Sequence, residues 1–236
     1  MRGLIQIASI RNQAEALMLV DAGVHLLGFP LKLTHHKEDL SEEATGQIIR
    51  LIRPPASAVL ITYLNRAEDI LMLCNAIGVR TVQLHGDITL SELKKLKSLA
   101  RELTVIKSLI VKDHNLQELK SSVLKFVPCV DGFITDTFDP TSGACGATGK
   151  THNWDISRAL VEHTARPIIL AGGLHPGNVR KAILHVKPAG VDAHTGVEGP
   201  DGGKDISLVK SFVREAVWAF SQLTQASIGN ITAAIK

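Results

Sequence analysis

"LIQIASIRNQAEALMLVDAGVHLLGFP" (residues 4–30) is an aliphatic run, an amphipathic stretch and a second aliphatic run. The runs 4–8 and 24–29 read as buried strands, and 12–22 between them reads as a helix. Asn12 is placed to cap that helix, with Glu15 three residues on in a capping-box arrangement. Two strands joined by a helix form a parallel pair. No G-x-G-x-x-G follows the first strand, which removes the signature of a dinucleotide-binding open sheet.

The same unit recurs along the chain. Further strands are predicted at 57–62, 80–84, 103–107, 131–136, 167–171 and 189–194. Helices are predicted at 41–52, 66–77, 89–99, 115–125, 154–163, 177–186 and 205–223. Pro176 suits a helix's first turn, and Asp205 is a cap for the last long helix. Eight units in order, with no strand-only block, predict an α/β fold, a single (β/α)8 TIM barrel over residues 1–223. Residues 224–236 are expected to form a C-terminal tail or an extra helix.

Hydrophobic content of 45% with only 4% aromatic fits a core of Val, Ile, Leu and Ala. No apolar run approaches the length of a membrane span, and the start "MRGLIQIAS" lacks a signal-peptide pattern. The net charge of +3 is spread along the chain without basic blocks or interleaved aromatics, so no nucleic-acid partner is expected. Cys74, Cys129 and Cys145 are odd in number and show no metal-ligand spacing, which fits a reduced, cytoplasmic protein.

In such a barrel, function gathers where the strands end. Gly172 and Gly173 in "LAGGLHPGNV" (170–179) follow the seventh strand, and Gly196 in "VDAHTGVEGPDGGKD" (191–205) follows the eighth. Paired glycine loops there let backbone N–H groups approach a phosphate, although each glycine also serves a tight turn. Asp136 ends the sixth strand, where burial would make it a general acid or base; capping the next turn is the equal alternative. His85 in "VQLHGD" ends the fourth strand, either touching ligand or bonding its neighbours. The "GATGKT" of the long Gly-rich loop lacks P-loop spacing, so that loop reads as a lid carrying Cys145, with Trp154 starting the next helix. His35, His36, His175 and His194 fall on the same face with Asp136 and Asp192, yet show no metal-binding spacing, and no metal is expected.

With "VQLHGD", "VIKS" (105–108), "TDT…GATGKTHNW" (135–154), "LAGGLHPGNV" and "VDAHTGVE" in this order, the chain resembles the phosphoribosylanthranilate isomerase family of tryptophan biosynthesis over nearly its whole length. The resemblance implies an eightfold barrel without cofactor and a phosphorylated small-molecule substrate held by the loops after strands seven and eight. It also implies an Amadori rearrangement with Asp136 as general acid. A monomer or homodimer, with no nucleic acid or membrane as partner, is the expectation.

The family's general base is a cysteine in a Lys-Ile-Cys-Gly pattern at the end of strand one, and the matching residues here are Gln6, Ile7, Ala8 and Ser9. Ala8 accepts no proton, so position 8 marks a lost base. The family's arginine for the anthranilate carboxylate is also absent, and "LKLTHHKEDLS" offers His36 or Lys37, with His85 nearby as a further substrate contact. After Asp192 and Ala193, small family residues become His194 and Thr195, which makes His194 the candidate substitute base, with lid-borne Cys145 another. Three readings follow: a phosphoribosylanthranilate isomerase with an unusual base, a divergent isomerase of another phosphorylated sugar, or a non-catalytic phosphate-ligand binder.

Overall fold

In the computed structural model the chain closes into a barrel. The structure describes residues 3–33, 38–138 and 151–234, with side chains described as far as residue 225. Among them, β1 (Leu4–Ala8), β2 (Leu26–Pro30), β3 (Ser57–Thr62), β4 (Thr81–Leu84), β5 (Thr104–Val111), β6 (Gly132–Thr137), β7 (Ile168–Leu170) and β8 (Gly190–Ala193) run in sequence order around the axis. Every neighbouring pair is parallel, and β8 pairs with β1 from Leu4–Gly190 to Ile7–Ala193, which closes the sheet without an edge. Outside lie α1 (Gln13–Asp21), α2 (Glu42–Ile49), α3 (Ala67–Ile77), α4 (Leu90–Leu99), α5 (Leu116–Phe126), α6 (Trp154–His163), α7 (Val179–Val186) and α8 (Ile206–Ala234). The (β/α)8 barrel expected from the repeated unit is the fold observed.

Side chains alternate across each strand, so one set packs under the helices and the other fills the barrel. Ile5 and Ile7 of β1 belong to the first set, fully buried with Leu27 and Phe29 of β2. Gln6 belongs to the second, and its Nε2 donates across the barrel to Gln83 Oε1 of β4 at 2.9 Å. Ile106, Ile134, Ile169 and Ala171 make one inner cluster and Ala8, Val59 and Ile61 another, with Leu26 packed on both.

Local chemistry sets the ends of the elements. Asn12 Oδ1 accepts from Glu15 N at 2.9 Å, but the Glu15 carboxylate reaches past the cap to accept from Arg11 N at 2.7 Å. β5 outlasts its predicted end at 107 because "SLIV" continues the aliphatic run to Val111, which leaves Lys107 in mid-strand rather than at the mouth. There its ammonium donates to the Ser108 carbonyl at 3.1 Å, and burial draws its pKa down to about 8. Pro176 lies before α7 rather than in its first turn, because Asn178 Oδ1 accepts from His175 N at 2.9 Å and closes a turn first. Asp205 caps α8, accepting from Ser207 N and Leu208 N at 2.8 and 2.9 Å. α8 continues without a break through residues 224–234. No helix among the described residues is long and apolar enough to cross a membrane.

Candidate active site

The seam between β1 and β8 positions two of the residues singled out by sequence. Gln6 pairs with Asp192 and Ile7 with Ala193, where the ladder ends, and Ala8 and His194 are the next residues of the two chain segments. Ala8 packs inside the barrel with Val59 and Ile61, and His194 leaves the end of β8 at φ −125° and ψ −90°, near enough to Asp136 to interact with it. Ser9 follows Ala8 at φ 61°, the left-handed region, which explains why a glycine suits this place.

Two strands from β8, Asp136 stands near the end of β6, half-buried, with Oδ1 accepting from Thr137 N at 2.8 Å. Burial raises its pKa above the usual carboxylate range, and the nearby imidazoles of His85 and His194 act against that rise. A carboxyl so placed keeps its proton to higher pH, as a general acid requires. His85 stands on β4's end, its N donating to the Thr62 carbonyl, its Nδ1 3.1 Å from Ser108 Oγ and its ring 5.0 Å from that of Tyr63.

Asp192 sits one level below His194. Burial, then the like charge of Asp136, pushes its pKa up to about 7, against a hydrogen bond from Gln6 and the charge of Lys204. Asp192 Oδ1 and Gln6 Oε1 are buried acceptors that meet no donor. A proton on Asp192 supplies one, which favours the neutral acid.

The seventh and eighth loops meet beside this cluster. Gly172 and Gly173 have φ of 98° and 59°, and their N–H groups have no acceptor among the described residues. A side chain on Gly172 would collide with Thr137 Oγ1, and one on Gly196 with the Leu174 carbonyl. Gly196 is therefore needed for two loops to touch, whatever ligand they hold. Asn178 Nδ2 fixes the seventh loop by donating to the Gly173 carbonyl at 2.9 Å.

Asp136, His85, His194 and the position of Ala8 thus share one mouth, flanked by the three glycines. His35, His36 and Lys37, like Cys145 and the rest of 139–150, lie outside the described residues. The stems of that segment are joined by His152, whose Nδ1 is 2.9 Å from Thr137 Oγ1 and whose Nε2 is 2.6 Å from Ser157 Oγ. Burial lowers the His152 pKa to about 4. His175 is spent on its own turn, accepting from Gly177 N at 3.2 Å. Among the described residues no three His, Cys, Asp or Glu side chains are grouped to hold a metal.

Sequence reasoning missed Glu198 and Lys204. Glu198 Oε1 lies 3.2 Å from His194 Nε2 and 2.7 Å from Lys204 Nζ. The spacing of four between His194 and Glu198 was their only signal, and a local one.

The family description N-(5'-phosphoribosyl)anthranilate (PRA) isomerase matches residues 5–215. N-(5'-phosphoribosyl)anthranilate isomerase 2 of Methanosarcina mazei is 35% identical over 228 residues, 96% of this chain and 99% of that protein. The isomerase of Haloferax volcanii is 34% identical over 90% of this chain and 92% of its own. Phosphoribosyl anthranilate isomerase from Thermotoga maritima superposes with a TM-score of 0.77 at 29% identity, covering 92% of this chain and 98% of its own. A structure of such an isomerase in complex with reduced 1-(o-carboxyphenylamino)-1-deoxyribulose 5-phosphate has a TM-score of 0.75 at 27% identity, over 92% and 98% of the two chains.

Proposed function

The chain belongs to the N-(5'-phosphoribosyl)anthranilate isomerase family, and on that premise we propose that it rearranges N-(5'-phosphoribosyl)anthranilate in tryptophan biosynthesis, with Asp136 as acid and His194 as base. Asp136 gives its proton to the furanose oxygen as the ring opens and the anilino nitrogen forms an iminium. His194, as neutral imidazole, takes the C2′ proton to give the enolamine, which tautomerises to the ketone. The N–H groups of Gly172 and Gly173, with the loop at Gly196, receive the phosphate. Lys37 or His36 is assigned to the anthranilate carboxylate, and His85 to the wall of the sugar site.

What supports this reading is the end of the seam: the residue after the paired Ala193 is a histidine, and the residue after the paired Ile7, where the family keeps its thiol, is an alanine. General-base assistance is typically worth about 10²–10⁴-fold. Turnover of N-(5'-phosphoribosyl)anthranilate by the wild type should therefore fall by about that factor in His194→Ala, and likewise in Asp136→Asn. Full activity of His194→Ala would refute the assignment of the base. The missing arginine after β2 favours a second reading, an isomerase of another phosphoribosylated amine. It predicts that such a substrate is turned over faster than the anthranilate compound.

A further inference from the structure

Building on the reading of His194 as base, we propose that Glu198 is its positioning residue: it accepts the Nε2–H of His194 and so leaves the lone pair on Nδ1 for the C2′ proton. A 3-10 turn at Thr195–Val197 folds the chain so that residues 194 and 198 meet. Glu198 Oε1 is 3.2 Å from His194 Nε2, while Nδ1 has no hydrogen-bond partner among the described residues.

The chemistry follows from what each partner can do. An ionised carboxylate only accepts, so the ring nitrogen that faces it must carry a hydrogen. Burial acts to raise the Glu198 pKa, but hydrogen bonds from His194 and Lys204 outweigh it and hold the group at about 2. Glu198 is then an acceptor at any working pH. His85 makes the contrast: its Nδ1 faces the Ser108 hydroxyl at 3.1 Å, and a hydroxyl donates or accepts equally well.

Lys204 fixes the carboxylate. Its side chain is 0% exposed, and its ammonium lies 2.7 Å from the same Glu198 oxygen and 3.4 Å from the His194 carbonyl. Glu198 is thereby held in place as an acceptor between the two side chains. Asp136 on β6 is a further titratable group near enough to His194 to interact with it. The frame is tied down at a distance: Lys204 N donates to Glu15 Oε1 at 2.7 Å, and Arg11 N to Glu15 Oε2 at 2.7 Å. Glu198 and Lys204 also form an antiparallel bridge. The loop after β1 and the loop after β8 thus hold the imidazole together.

The test is long-range ¹H–¹⁵N correlation of the His194 ring in the full chain at pH 8, alongside kinetics of Glu198→Gln. That variant keeps an oxygen for Lys204 and adds an NH₂ donor, whereas Glu198→Ala would strand a buried ammonium. The wild type should show the Nε2–H tautomer alone, and Glu198→Gln a mixture. kcat should drop by at least about tenfold with KM unchanged in Glu198→Gln. In a His194→Ala background the same change should alter kcat by less than about twofold, because effects that act through one group do not add. An Nδ1–H tautomer in the wild type, or an equal loss in both backgrounds, overturns the proposal. Should the wild type not turn over the anthranilate substrate, the functional reading fails, and the tautomer alone decides the role of Glu198.

Discussion

Ala8 and His194 each follow the last residue pair of the seam that closes the barrel, Ile7 and Ala193. On the proposed reading, the base has moved from the end of β1 to the end of β8. The proposed acid, Asp136, stands on β6, with only β7 between it and β8.

A transfer of this kind can be reversed. In His194→Ala, where turnover is expected to be lost, adding Ala8→Cys returns a proton acceptor to the first strand. The double variant should recover at least about tenfold in kcat over His194→Ala, since a positioned base typically contributes about 10²–10⁴-fold and a less well tuned one keeps part of that. A folded double variant with no recovery would show that residues 8 and 194 do not serve the same step.

The barrel was legible because each unit buries its own stripe and each strand its own aliphatic run, signals that local sequence carries. The errors were local as well: "SLIV" lengthened β5, and a side-chain turn at Asn178 displaced Pro176 from α7. Asp136 and His194 could be placed because barrel geometry sends strand ends to one mouth. The frame around them could not. Lys204 sits in "GPDGGKD", which reads as a solvated turn, and its burial depends on Glu15, 189 residues away. The near-neutral pKa of Asp192 likewise depends on burial by the closed barrel and then on Asp136, which reaches it from another strand.

Ser9 holds a left-handed φ of 61°, where the family pattern has glycine. That conformation costs an L-residue roughly 1–2 kcal/mol, and the greater freedom of an unfolded glycine takes back roughly 0.5–1 kcal/mol. Ser9→Gly should therefore stabilise the protein by about 0.5–1 kcal/mol, raising Tm by about 2 °C. A lower Tm would mean that the Ser9 side chain makes up for its strain.

Asp192 gives stability a dependence on pH. Its folded pKa of about 7 lies above the ordinary 3.8, so the folded state binds the extra proton between those values. Stability from this group is full below pH 3.8 and is lost as pH rises through about 7. Asp192→Asn is neutral throughout and offers an NH₂ to the unpaired Gln6 Oε1. In urea unfolding, its advantage over wild type should widen by about 2–3 kcal/mol between pH 5 and pH 8. A gap that stays constant would refute the raised carboxyl.

His152 works in the opposite direction. Its pKa of about 4 is below the ordinary 6.5, so the unfolded chain takes up the proton first as pH falls. The stability it contributes is complete above pH 6.5 and disappears as pH drops through about 4. Both ring nitrogens are engaged by hydroxyls, those of Thr137 and Ser157, and it is burial that disfavours a second ring proton. Glutamine can span the same hydroxyls without titrating. Between pH 7 and pH 5 the wild type should therefore lose about 2 kcal/mol more than His152→Gln, measured by urea unfolding. Because Asp192 changes equally in both proteins, the difference between them isolates the imidazole, and equal losses would show that His152 takes up its proton without breaking the link between β6 and α6.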